Sequence, residues 1–68
     1  MSEKLYNLKE RLVARDSTLP AVFIMRYFQE MTVSEIAEVL LVETQEVELK
    51  LQTIDYVVWE MFNPAFSR

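Results

Sequence analysis

Thr32-Val33-Ser34-Glu35-Ile36-Ala37-Glu38-Val39-Leu40-Leu41-Val42-Glu43-Thr44-Gln45-Glu46-Val47-Glu48-Leu49-Lys50-Leu51 is the stretch whose reading decides the fold. Thr32 and Glu35 have the Thr-x-x-Glu spacing of a capping box, in which each partner satisfies a backbone N–H at a helix start. A short helix is therefore expected from Thr32 to about Leu40, burying Ile36, Ala37, Val39 and Leu40. A further cap at Glu43 or Thr44 opens a last, long helix, in which Val47, Leu51, Ile54 and Val58 recur at helical spacing. Two helices crossing steeply need a small residue at the crossing, and Ala37 supplies it. Leu40, Val42 and Val47 pin the second helix on the first, so the stretch reads as a helix-turn-helix. Val47, Leu49 and Leu51 also alternate as a strand would. No partner run with a hairpin turn lies nearby, however, and an isolated strand is unstable.

Upstream, a first helix is expected from about Glu3 to Ala14. Ser2 is its N-cap, Leu5, Leu8 and Leu12 lie on one face, and Tyr6 and Val13 lie beside them. Asp16-Ser17-Thr18 breaks that helix, and Pro20 suits the first turn of a second one. The second helix, about Leu19 to Gln29, is expected to bury Phe23, Ile24, Tyr27 and Phe28. The chain contains no glycine. Its turns are left to Asp16-Ser17-Thr18, Gln29-Glu30-Met31-Thr32 and Leu41-Val42-Glu43, where any left-handed position carries a conformational cost. The expectation is an all-α fold, one small four-helix domain over residues 1–68 that contains the helix-turn-helix.

Composition narrows the chemistry. Sixty-eight residues supply one core of marginal stability, and the chain holds no cysteine or histidine. Disulfides and the commonest metal ligands are excluded. Apolar runs are too short for a transmembrane helix, and Met1-Ser2-Glu3-Lys4 lacks the layout of a signal peptide. A cytoplasmic protein that does not engage membranes is expected. The formal net charge is -4, which repels a phosphate backbone at long range. Its distribution is uneven. Lys4, Lys9, Arg11 and Arg15 stand near the N-terminus against Glu3 and Glu10. Glu35, Glu38, Glu43, Glu46, Glu48 and Asp55 later face Lys50 alone.

Val22-Phe23-Ile24-Met25-Arg26-Tyr27-Phe28-Gln29-Glu30-Met31-Thr32-Val33-Ser34-Glu35-Ile36-Ala37-Glu38-Val39-Leu40 resembles region 4 of bacterial sigma factors. The DNA-binding domains of LuxR-type regulators are similar over the same stretch. The resemblance rests on Val22, Phe23, Arg26, Tyr27, Phe28, Glu30, Glu35, Ile36, Ala37, Glu38 and Leu40. It continues more weakly through Val42, Val47 and Leu51, so that residues 22–54 are covered. It implies a helix-turn-helix and a role in transcription. The departures are as telling as the matches. Leu41 stands where the family commonly has glycine, and the helix that reads DNA in the family is acidic here. Glu43, Gln45, Glu46, Glu48, Leu49, Gln52 and Thr53 occupy the positions that would meet bases and phosphates. Carboxylates are repelled there, and base contacts act only once phosphate contacts have positioned the helix.

From Ile54 to Phe62 every residue but Asp55 and Glu60 is apolar. So small a domain cannot bury all faces of such a helix, and aromatic side chains and methionine are enriched at interface cores. Tyr56, Val57, Trp59, Met61, Phe62 and Phe66 are expected to form a homodimer interface.

No enzyme is visible. The glutamates lie at solvent-facing helical positions with no histidine or glycine-rich loop to complete a site, so no metal site and no cofactor is expected. Ser17 and Ser34 start helices, and no general base stands ready to activate them. Arg26, among apolar neighbours, is expected to be a structural ion-pair partner, with Glu35 as one candidate. The function that reconciles scaffold and charge is a small transcription-associated adaptor working by protein–protein contact. Its acidic face, Glu43, Gln45, Glu46, Glu48 and Gln52, would dock a basic surface on a polymerase, a sigma factor or a DNA-binding protein. The alternative is a DNA-binding transcriptional regulator that holds the duplex with Lys4, Lys9, Arg11, Arg15 and Lys50. A purely structural oligomerisation module is the third reading.

Overall fold

A computed structural model describes residues 3–63 of the chain. Its helices are α1 (Glu3–Arg15), α2 (Leu19–Tyr27), α3 (Val33–Leu40) and α4 (Thr44–Phe62), and the described residues contain no strand. The all-α, four-helix expectation holds. Ser2 and Phe66 lie outside the described residues. No helix among the described residues is long and apolar enough to cross a membrane.

Local chemistry accounts for the boundaries. α1 stops where the Asp16 carboxylate takes over the next backbone donor, accepting from the Thr18 N–H at 2.8 Å and the Thr18 hydroxyl at 2.7 Å. Pro20, in the first turn of α2, forfeits only an N–H that has no intrahelical partner there. At the start of α3 the capping box is complete. The Glu35 N–H donates to Thr32 Oγ1 at 3.1 Å, and the Thr32 N–H donates to Glu35 Oε1 at 2.8 Å.

The end of α3 is a Schellman motif without glycine. Leu41 adopts φ 60°, ψ 45°, its N–H donates to the Glu38 carbonyl at 3.3 Å, and the Val42 N–H reaches back to the Ala37 carbonyl at 3.0 Å. Glu30 is likewise left-handed, at φ 56°, beyond the end of α2. Both required left-handed turn positions are thus occupied by residues with a Cβ, which raises their energy. Glu43, the residue before α4, has the extended backbone of an N-cap but makes no side-chain capping bond.

α4 is the spine. It packs against α1, α2 and α3, whereas α1 and α3 do not meet among the described residues. The core unites Leu8 and Leu12 of α1, Leu19, Val22 and Met25 of α2, Ile36 and Ala37 of α3, and Val47, Ile54 and Val57 of α4. Phe23, Met31, Leu40, Val42, Leu51, Val58 and Met61 pack against it, half-buried.

Several expected positions turn out otherwise. α2 ends at Tyr27, and it buries Leu19, Val22 and Met25 in place of the expected set. Phe23 is half-buried, while Ile24, Tyr27 and Phe28 are exposed. The physical reason is that α2 is only 9 residues long and apolar nearly all round, so periodicity does not choose its inner face. Val39 is exposed and Leu40 half-buried, because Ile36 and Ala37 already fill the contact with α4. The Arg26 guanidinium donates to the Met31 carbonyl at 2.9 Å instead of pairing with Glu35, whose carboxylate is committed to the capping box.

Lys50 changes role most. Its ammonium lies 2.7 Å from Asp16 Oδ2 and 2.9 Å from the Thr18 hydroxyl, with its side chain only 13% exposed. It ties the middle of α4 to the α1–α2 corner and is not a free cation for phosphate. The Lys50 and Thr18 hydrogen bonds lower the Asp16 pKa from 3.8 to about 2. A lowered carboxylate pKa contributes stability that is complete above the unfolded value and is lost as pH falls through the folded one. The native state should therefore weaken between pH 3.8 and about 2. Because the Asp16 side chain is 38% exposed, solvent screening limits the neutral-pH cost of Asp16→Asn to about 1 kcal/mol. Urea titrations across pH, in a double-mutant cycle with Lys50→Met, should show that acid loss in the parent and not in Asp16→Asn.

Leu41→Gly relieves the left-handed strain and should raise stability by about 0.5–1 kcal/mol, a gain of several degrees in thermal midpoint. Calorimetry of the two proteins checks this, and an unchanged or lowered midpoint would show Leu41 to be unstrained.

Candidate functional site

α4 presents two kinds of surface along one rod. In its N-terminal half Glu43, Gln45, Glu46, Glu48 and Gln52 are all exposed, as expected of the acidic face. Glu46 lies within 4.0 Å of Lys50, one turn away. Thr53, expected among the reading positions, is half-buried and donates its hydroxyl to the Leu49 carbonyl at 3.1 Å. No three acidic side chains among the described residues converge as they would around a metal ion.

The C-terminal half divides the expected interface residues. Val57 is 2% exposed and belongs to the core, and Met61 is half-buried against it. Tyr56, Trp59 and Phe62 stay outside at 48%, 44% and 47% exposure. The division follows from helical geometry: Val57 lies three residues beyond Ile54, on the inner face, while Tyr56 and Trp59 point away from it.

The basic N-terminal residues meet these rings. The Lys4 ammonium sits 5.1 Å from the centre of the Phe62 ring, and the Arg15 guanidinium 5.4 Å from that of Tyr56. Arg11 and Arg15 line a shallow cleft between α1 and α4 with Ala14, Val57 and Glu60. Lys9 is exposed on α1. The structure therefore brings Arg11 and Arg15 together, places Lys4 near the end of α4, and removes Lys50 from the group altogether.

A feature that the sequence reading missed lies between α2 and α4. Phe23, Tyr27, Asp55, Val58, Trp59, Phe62 and Asn63 line a groove of about 500 Å³. Phe23 stacks at a tilt against both Tyr27, 5.3 Å between centroids, and Phe28, 5.8 Å. The Tyr27 hydroxyl donates to Asp55 Oδ1 at 2.8 Å, clamping the helices together at the groove wall. Burial, and then the Asp55 hydrogen bond, push the Tyr27 phenol pKa up. The available signal was the surplus of apolar side chains on α2, more than so short a helix can turn inward.

No family model, no curated protein and no solved structure matches this chain.

Core and surface roles on α4 are separable by truncation. Val57→Ala should cost about 2 kcal/mol, the transfer energy of two methyl groups plus the cavity they leave. Trp59→Ala should cost no more than about the same amount, despite removing the larger side chain, because the indole is 44% exposed and its removal leaves no closed cavity. Urea denaturation of both variants measures the order, and a larger loss for Trp59→Ala would place the indole in the core.

Proposed function

We propose that this chain is a transcription-associated adaptor that acts by protein–protein contact, its acidic half of α4 docking a basic surface on a component of the transcription apparatus. The observation that carries the reading is the combination on one helix pair. Ile36, Ala37 and Val47, three of the residues on which the resemblance to sigma region 4 rests, are buried in the core, which supports a helix-turn-helix reading of α3 and α4. Yet the outward residues Glu43, Glu46 and Glu48 are carboxylates. A phosphate-lined groove repels them, whereas a basic protein surface attracts them and gains association rate from the attraction.

The behaviour of the cations supports the same side. A duplex would be held by Lys4, Lys9, Arg11, Arg15 and Lys50 in the alternative reading of a DNA-binding regulator. Lys50 is engaged by Asp16 and Thr18, and Lys4 and Arg15 lie over rings of α4. Of these five, Lys9 and Arg11 carry no such contact among the described residues, a small set against a net charge of -4. The adaptor reading implies a cytoplasmic protein and needs no cofactor or catalytic residue.

The test uses purified core RNA polymerase and duplex promoter DNA in parallel, each titrated with fluorescently labelled protein. Polymerase binding should weaken at least about tenfold in the combined Glu43→Lys, Glu46→Lys and Glu48→Lys variant, as reversal of three charges at one contact requires. Lys9→Glu with Arg11→Glu should leave it nearly unchanged. Salt-sensitive binding of DNA by the parent protein, abolished by the Lys9 and Arg11 changes, would overturn the adaptor reading and establish the regulator.

A further inference from the structure

Val47, Leu51, Ile54, Val58 and Met61 form the stripe of α4 that packs inward, spaced alternately four and three residues apart. Displaced by one residue, Glu48, Gln52, Asp55, Trp59 and Phe62 repeat the same spacing, about 100° further round the helix. All five members of the second stripe are exposed. Its C-terminal half, Asp55, Trp59 and Phe62, forms one wall of the α2–α4 groove whose other wall is Phe23 and Tyr27. α4 thus carries a second stripe at the spacing by which helices meet, polar at Glu48, Gln52 and Asp55 and aromatic at Trp59 and Phe62, while the first is already filled by the domain core.

We propose that the second stripe, with the aromatic groove beside it, is the docking site for a basic amphipathic helix of a partner protein. The partner's apolar residues enter the aromatic half, and its lysines or arginines lie against Glu48 and Asp55. The proposal rests on the protein-contact reading above and assigns it a surface and a partner chemistry.

Charge chooses the occupant. α4 carries Glu46, Glu48, Asp55 and Glu60 against Lys50, and Lys50 is bound to Asp16. A second copy centred on this stripe, parallel or antiparallel, would set Asp55 against Asp55, whereas a cationic helix neutralises both Glu48 and Asp55. The Tyr27 hydroxyl fixes one oxygen of Asp55 in the groove wall, which presets the carboxylate for a cationic donor. Polarity is also specified. Lys4 already places a positive charge over Phe62, so a partner's cations belong at the Glu48 end and its apolar anchors at the Trp59–Phe62 end.

The probe is a short helical peptide of leucine, lysine and alanine with leucines at alternating three- and four-residue spacing, titrated into the full chain. Calorimetry reads binding, as does emission of Trp59, the sole tryptophan. Saturable binding is expected, weakened at least about tenfold by Phe62→Ala and by Asp55→Asn, both exposed positions whose variants are checked for helicity. A peptide with serine for leucine that binds as well would overturn the groove and leave the acidic-surface reading standing. A glutamate-for-lysine peptide that binds as well would overturn the charge assignment. Absence of binding by any peptide overturns the docking site, while the polymerase titration judges the adaptor reading separately. A parent dimer in light scattering that Phe62→Ala converts to monomer would identify a second copy as the occupant and overturn the proposal.

Discussion

Burial of Val47, Ile54 and Val57 along one side of α4 is the contact on which the rest of the structure depends. A chain of this size has little apolar surface to spare, and α4 is the element that touches every other helix. α1 and α2 supply Leu8, Leu12, Leu19, Val22 and Met25 to it from one end, and α3 supplies Ile36 and Ala37 from the other. Once that side faces inward, the remaining faces of α4 have nothing within the described residues to cover them fully. The exposed glutamates and the exposed aromatic residues are two consequences of a single orientation.

Polar contacts then fix how the helices sit on this spine. Lys50 reaches from α4 to the α1–α2 corner, and Tyr27 reaches from α2 to Asp55 on α4. Each joins residues far apart in sequence with one charged or strongly polar bond, and each uses a side chain that a count of surface charges would assign to a ligand. The consequence for function is direct. Removing Lys50 from the pool of free cations leaves the N-terminal half of α4 almost wholly anionic, and the proposed docking of a basic partner rests on that property.

The turns show a different compromise. A left-handed backbone is needed after α2 and before α4, and in a chain without glycine it falls to Glu30 and Leu41. Leu41 is 89% exposed as well as left-handed, so its side chain gains little burial in return for the strain. The turn is held by the backbone bonds of the Schellman motif and by the packing of Val42 beside Ala37 on the core, which outweigh the local preference. Nothing in the intramolecular contacts explains why leucine stands at this position.

The sequence by itself determined the helices and their order. Capping residues, Pro20 and apolar spacing act over a few residues and need no knowledge of the fold. For that reason the α3 capping box, the α3–α4 turn and the inward Val47 and Ile54 were legible, and so was the exposure of Glu43, Gln45, Glu46, Glu48 and Gln52. Tertiary structure alone decided which face each ambiguous helix turned inward. α2 is apolar nearly all round, so its neighbours selected Val22 and Met25 and left Tyr27 and Phe28 outside. It also assigned Val57 to the core, Lys50 to Asp16, and Phe23 and Tyr27 to a shared groove with Trp59. These are pairings across the chain, set by the single packing that lets one short core serve four helices, and no local pattern encodes them.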